Sequence, residues 1–473
     1  MLEFLGYVLI GIQVVFFLYF LAINTLYSFF IIIALKDIRM YSHSITRRRL
    51  TSMLSGLFYK PLSILVPAYN EETTISDTVK SLLGLRFPEY EIIVINDGSS
   101  DKTMDVLIER FHLVSVNKPI KISLKHEAIK GVYISLLHPN VTIIDKENGG
   151  KADALNAGVN ASQYPLLACI DADSVLESDS LLKATRPFVE DKQVIATGGI
   201  VRVLNGCTMQ DGSVTEIRAP KGMIEGFQAA EYARGFLTGR TSWNFFRSLL
   251  IISGAFGVLR KDIVIAVNGF RHTVGEDMDI VVRMHRHCLE NKIPYKIIFV
   301  PDPVCWTEVP SDLGSLLRQR NRWQRGLVES LWHSRRMFLN PRYGIIGMLG
   351  FPYFVIIEAL GPIIEFVGYF SLILFFALGI VGTNLALLFF LIAILWATLI
   401  HVGSVMLDNL IYKRYKSVGD LVKLSVLGLL EFFGYRQLIV MERFIGLFQF
   451  KKSGWGKAKR KGKDKDVEAK RAA

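Results

Sequence analysis

The 473-residue sequence predicts a soluble α/β domain with a parallel sheet, set between membrane-spanning segments. Three observations predict it. Residues 4–35 carry no charge and residues 344–407 carry only Glu358 and Glu365, whereas 60–340 have the mixed composition of a soluble domain. Inside that domain short β-branched runs alternate with helical stretches, the βαβ pattern of a parallel sheet covered on both faces. Each run also closes in a polar cluster, and open α/β sheets bind their ligands at the carboxyl ends of strands.

A spanning helix needs roughly 20 apolar residues, so the first apolar stretch holds one span and the second two or three. Residues 4–35 are too long for a signal peptide and show no small-residue cleavage site, so 1–36 reads as a retained anchor. Lys36, Arg39 and Arg47-Arg48-Arg49 follow it, which places the soluble domain on the cytoplasmic side. Lys413-Arg414 and the basic tail, 451–473, belong on the same side, so the chain crosses an even number of times between Arg342 and Lys413 and again before Lys451. The segments 421–433 and 435–448 are each too short to span and read as interfacial or re-entrant helices within a membrane region, 341–450. The net charge of +12 lies largely beside these apolar stretches, which favours anionic lipid over nucleic acid as the partner. The four cysteines form neither a Cys-x-x-Cys nor a disulfide framework.

In the soluble domain, strands are expected at Leu62–Pro67, Glu91–Ile95, Val141–Ile144 and Pro165–Ile170, with helices starting near Thr74 and covering Asp105–Phe111 and Ala152–Val159. Val194–Val203 reads as a further strand and Leu249–Leu259 as a glycine-punctuated strand pair. Ile224–Phe236 is amphipathic. A helix over Met278–Leu289 puts Asp277 in its cap or first turn, where an acid also suits the helix dipole. His285 and His287 are two apart on that helix and face different ways, so they are no metal pair.

The chemistry concentrates at the strand ends. Asp171 and Asp173, just past the fourth strand, make a hard oxygen site suited to Mg²⁺ or Mn²⁺, ions that bridge to substrate phosphates. Lys151 follows Gly149-Gly150 at a helix start, where its charge and the helix N–H groups can hold phosphate. No Gly-x-x-x-x-Gly-Lys-Ser/Thr is present. A dense Arg–Gln–Trp cluster over 316–326 reads either as an interfacial anchor or as part of a site.

In order, Val66-Pro67-Ala68-Tyr69-Asn70-Glu71, Asn96-Asp97-Gly98, Lys151-Ala-Asp-Ala-Leu-Asn156, Asp171-Ala-Asp173, Gly275-Glu276-Asp277 and Gln319-x-x-Arg322-Trp323 resemble the membrane-embedded processive family 2 glycosyltransferases. These are the cellulose, hyaluronan, chitin and poly-N-acetylglucosamine synthases. The resemblance covers about 60–330 and implies a nucleotide-diphosphosugar (GT-A-like) fold. It implies donor binding by Ala68, Asn70, Glu71, Asp97, Lys151, Asp171 and Asp173, with Asp97 on the nucleotide and Lys151 on the diphosphate. Asp171 and Asp173 would hold the metal, and Asp277 would be the general base of an inverting transfer. Glu276, Gln319, Arg322 and Trp323 would serve the acceptor and diphosphate end, and Trp455 and Lys457 resemble a gating segment. The family's usual Thr-Glu-Asp is Gly-Glu-Asp here, and Ser253-Gly254-Ala255 departs from the Cys-containing motifs of the well-known synthases.

On this reading the partners are a nucleotide-sugar donor, probed first as UDP-sugars, a glycan or lipid-linked acceptor and membrane lipid; an accessory subunit or a homo-oligomer is left open. Glu358 and Glu365, with Arg436, Glu442 and Arg443, are expected either to line a polar conduit for a growing glycan or to pair between spans. The rival enzymatic reading is a non-processive transferase adding one sugar to a lipid. A glycan-binding protein with a dead domain conflicts with the intact acids, and a transporter with the few spans and lack of inverted repeats.

Overall fold

The computed structural model describes residues 2–44, 59–210, 212–377 and 383–449. Arg47-Arg48-Arg49, the basic tail and the segment holding Trp455 and Lys457 lie outside the described residues. The chain forms two compact units. One is built on the strands, with Leu249–Pro310; the other joins the N-terminal helix to Ile217–Ser248 and to the described residues from 311 to 449.

In the strand unit the chain runs β1 (Leu62–Ala68), β2 (Tyr90–Asp97), β3 (Leu113–Val116), β4 (Ile129–Ser135), β5 (Val141–Lys146), β6 (Leu166–Cys169), β7 (Ser174–Leu176), β8 (Val194–Val203), β9 (Thr208–Gln210), β10 (Ser213–Glu216), β11 (Gly257–Arg260) and β12 (Lys296–Thr307). Ten of them form one sheet in the order β3-β4-β5-β2-β1-β6-β11-β8-β12-β7, and β9 and β10 form a separate hairpin. The four strands read from the sequence are its parallel centre, β5-β2-β1-β6. Leu62 lies opposite Tyr90 and Ala68 opposite Asn96, so β1 and β2 end together. Ile92 to Ile95 are completely buried, as the continuous aliphatic run of a strand covered on both faces requires. The helix Lys151–Ala161 lies close over this centre because Gly158 has no side chain: a Cβ there would stand 3.0 Å from Ile95 and 3.1 Å from Leu65.

The sheet is mixed rather than wholly parallel. The β3-β4-β5 meander is antiparallel, and β11 runs antiparallel between β6 and β8. Of the strand pair expected over Leu249–Leu259, only Gly257–Arg260 is a strand. The segment before it turns back so that Ile252 packs on glycine backbone, 3.2 Å from a Cβ at Gly198 and 2.6 Å from one at Gly257. The helix around the expected Met278–Leu289 spans Glu276–Glu290.

In the second unit, Gly11–Met40 and Ile346–Leu374 are long and apolar enough to cross a membrane, and Val418–Leu430 with Tyr435–Phe448, bent by 57°, makes a third span if the pair counts as one. A further 30-residue helix covers Thr383–Tyr412. Glycines bring these helices together: a Cβ at Gly368 would run into the Phe16 ring, and one at Gly361 would meet the Tyr19 hydroxyl at 2.6 Å. The amphipathic stretch forms a helix, Met223–Tyr232, that widens into π-type turns over Ala233–Arg240. Gly226 on it receives Leu427 of the bent pair.

Candidate active site

Two pairs of strand ends do two different jobs. At the ends of β1 and β2 the polar residues bind one another. Asn70 takes a left-handed backbone (φ 57°), and its Oδ1 accepts the Ser100 N–H at 2.8 Å and the Asp101 N–H at 3.3 Å. The Glu71 N–H donates to Thr103 Oγ1 at 2.8 Å, and Glu71 Oε2 accepts from Thr74 at 2.7 Å. Ala68 closes β1 one residue before the exposed Tyr69.

Asp97, expected at the nucleotide, is buried and directs both carboxylate oxygens to the 146–150 turn. Oδ1 accepts from Lys146 Nζ at 2.6 Å and from the Gly149 N–H at 3.0 Å, and Oδ2 accepts the Gly150 N–H at 2.7 Å. Lys146 is fully buried and also pairs with Asp153 Oδ1 at 2.6 Å. Gly150, at φ 86°, lets the chain turn into the helix that starts at Lys151. Asp97 therefore sets the shape of the cradle that presents Lys151. Sequence reasoning gave Lys146 and Asp153 no role, although Asp153 lies inside the Lys151–Asn156 motif, because their pairing exists only once three elements close on each other.

Beyond this cradle lies the reactive cluster. Lys151 Nζ sits 2.6 Å from Asp171 Oδ1 and 3.0 Å from Glu276 Oε1. Burial opposes its charge, but Asp171, Glu276 and Asp277 outweigh burial and hold the lysine above its ordinary value. Burial pushes the Glu276 carboxyl up, against Lys151 and with the help of Asp277. Asp277, in the first turn of its helix, has one N–H on each oxygen: Met278 on Oδ1 at 2.9 Å and Gly254 on Oδ2 at 3.1 Å. A Cβ at Gly254 would lie 2.9 Å from Lys151 Nζ and 3.6 Å from Asp277 Oδ2, so only glycine lets that backbone enter the cluster unhindered. His272, exposed, stands with Nε2 3.4 Å from a Cβ placed on Gly150.

Asp171 and Asp173 come from one turn, in which the Ser174 N–H donates to the Asp171 carbonyl at 3.0 Å. Among the described residues no group of three or more His, Cys, Asp or Glu could cage a metal alone. Two carboxylates still fit a hard divalent ion that takes its other oxygens from donor phosphates and water.

A model of the glycosyl transferase family 2 matches residues 63–263, and one of the glycosyl transferase family group 2 matches 166–400. The chain belongs to the family 2 glycosyltransferases. Poly-β-1,6-N-acetyl-D-glucosamine synthase of Staphylococcus epidermidis is 30% identical over 276 residues, covering 57% of this chain and 56% of that protein. The synthase of Staphylococcus aureus strain COL is 30% identical over 273 residues, 57% of this chain and 55% of its own. The match spans just over half the length of these relatives. The mannosyltransferase PcManGT from Pyrobaculum calidifontis, solved with GDP-Man and Mn²⁺, aligns over 86% of this chain and 98% of its own at TM-score 0.49 and 16% identity. The strand unit of this glycosyltransferase is a mixed α/β fold.

The remaining expected residues belong to the helical unit. Gln319, Arg322 and Trp323 lie on the helix Leu313–His333, which Asp312 caps by accepting the Ser315 N–H at 2.8 Å. Their spacing of three and four places them along one face. Trp323 is 43% exposed. In the same unit Arg443 meets Glu358 and Arg436 meets Glu365, each at 3.4 Å, and Asn321 donates to Glu442 at 2.9 Å. The acids in the apolar stretch thus have cationic partners.

Proposed function

We propose that this glycosyltransferase is a processive, inverting enzyme that moves N-acetylglucosamine from UDP-N-acetylglucosamine to the end of a growing polysaccharide. The observation that carries the reading is Asp277, fixed by two backbone N–H groups beside the Lys151–Asp171–Glu276 cluster. The names of the two staphylococcal relatives support the choice of sugar.

The acceptor hydroxyl oxygen attacks the anomeric carbon and forms the new C–O bond. The bond from that carbon to the diphosphate breaks on the opposite face, and UDP leaves with the electron pair. Asp277 takes the hydroxyl proton, a role worth roughly 10²–10⁴ in rate. Lys151, kept protonated by its three acids, faces the charge that develops on the leaving diphosphate. Asp171 and Asp173 would hold Mg²⁺ or Mn²⁺ together with the donor, and the ion would add Lewis-acid stabilisation of the leaving phosphate. Asp97 and Lys146 hold the Gly149-Gly150 turn in place for this. Arg322, Gln319 and Trp323 serve the acceptor, with the sugar's apolar face on the indole. Catalysis takes place on the cytoplasmic side, and the product leaves through the protein's own helices.

The test is to incubate the purified protein in vesicles with Mn²⁺ or Mg²⁺ and a panel of UDP-sugars, following released UDP and product mass. UDP release from UDP-N-acetylglucosamine with a high-mass product supports the reading. Release with only short or lipid-linked product replaces it with the non-processive one. Release equal to that of Asp277→Asn for every donor overturns it.

A further inference from the structure

The amphipathic helix Met223–Tyr232 matches no motif, yet it reaches the indole of Trp323. Its Glu231 accepts from Arg320 Nη2 at 2.7 Å, and Arg320 in turn lays its guanidinium carbon 4.4 Å from the centre of the Trp323 ring. Arg320 and Trp323 are three apart on their helix, the spacing that stacks side chains on one face. Arg320 is 3% exposed, so the ion pair with Glu231 is its means of remaining charged away from water. The Tyr435 hydroxyl donates to the same Glu231 oxygen at 3.4 Å, and Tyr435 is packed against Phe227, with 4.6 Å between ring centres. Tyr232, next to Glu231, meets the indole with centroids 6.5 Å apart. Three helices therefore converge on one half-exposed ring.

We infer that Arg320, clamped by Glu231, is a positioning residue for the acceptor: it covers one face of Trp323 and fixes the indole plane so that the other face is presented to a sugar ring. This rests on the reading of Trp323 as part of the acceptor end. A cation on an aromatic face is attracted by the ring's negative face and so favours one ring orientation over others. An unclamped indole would sample several orientations, and a growing chain would dissociate more often. Arg320 has no part in breaking the donor bond, so its loss falls on acceptor affinity and product length.

The experiment uses the full-length protein in detergent with UDP-N-acetylglucosamine and N-acetylglucosamine oligosaccharides of defined length as acceptor. Arg320→Met keeps the length of the stem and removes the charge, Arg320→Lys restores a cation, and Trp323→Phe is the control. Arg320→Met is expected to raise the acceptor KM about tenfold, the equivalent of ~1.4 kcal/mol, and to shorten the product, with a smaller change in donor KM. Arg320→Lys is expected to recover most of the loss. The near-UV circular dichroism difference between Arg320→Met and wild type should vanish in the Trp323→Phe background. Trp323→Phe without effect on acceptor KM overturns the acceptor reading itself. An effect of Trp323→Phe together with an unchanged acceptor KM in Arg320→Met overturns the positioning role alone. Equal losses in Arg320→Met and Arg320→Lys, on donor and acceptor alike, reduce Arg320 to a structural residue and overturn it too.

Discussion

In the proposed mechanism Asp277 is suited to act as the base because of what binds it rather than because it is acidic. With Met278 and Gly254 each donating to one oxygen, its carboxylate is oriented before any acceptor arrives. Asn in its place keeps the shape but loses the proton acceptor and sets an amide N–H₂ against a backbone donor. Asp277→Asn is expected to lower kcat by roughly 10²–10⁴ with the thermal midpoint nearly unchanged, measured as UDP release at saturating donor. A fall of less than tenfold would remove the base role. The places of Asp171, Asp173, Lys151 and Asp277 in the fold were legible in the sequence, since each sits where a strand ends or a helix begins and such positions follow from hydrophobic pattern and turn residues alone. Lys146 was not. A lysine at the end of a strand gives no sign of burial until Asp97 and Asp153 arrive from other elements.

At the scale of elements, two helices carry the candidate site, and each is pinned by a buried ionisable group. The Lys151–Ala161 helix begins where Asp97 and Asp153 share the Lys146 ammonium, each at 2.6 Å. Lys146→Met leaves Asp97 buried without its cation, which costs about 3–5 kcal/mol. A lowered unfolding midpoint and a raised donor KM are expected together, and a variant with wild-type stability would refute the clamp. The Glu276–Glu290 helix is pinned by His285, whose Nε2 lies 2.8 Å from the Leu249 carbonyl and whose Nδ1 lies 2.7 Å from the Tyr295 hydroxyl. Burial pushes His285 down to about 4. Unfolded, it would titrate near 6.5, so between those values the unfolded chain holds the extra proton and stability falls as pH falls, by about 1.4 kcal/mol per unit. His285→Gln is expected to flatten the decline of thermal midpoint from pH 6.5 to 4. An unchanged slope would assign the acid sensitivity to other groups. The helices were legible from their apolar periodicity. The antiparallel placement of β11 was not, because nothing local records which edge of β6 a distant segment will join.

At the scale of the whole molecule, the proposed polymerisation of a polar product by a chain with apolar helices would require charge at membrane depth to be kept in a controlled form. Glu358 and Glu365 show such control, each paired with an arginine of the Tyr435–Phe448 helix. These contacts are the expected pairing between helices; the conduit reading requires in addition that the pairs line a polar path. The two roles separate by mutation. Arg443 donates to the backbone carbonyl of Glu358 at 2.7 Å as well as to its carboxylate, and Tyr353 donates to Oε1 at 3.1 Å. Glu358→Gln therefore removes the negative charge while the backbone contact persists and Tyr353 keeps an oxygen acceptor. If the pair lines the path, vesicles carrying Glu358→Gln are expected to release UDP at the wild-type rate while polymer crossing the bilayer, scored by its sensitivity to added glycosidase, declines. If the pair only joins helices, crossing stays at the wild-type level and the thermal midpoint alone drops. Because the two outcomes differ in which quantity moves, one set of vesicles decides between a structural ion pair and an export route.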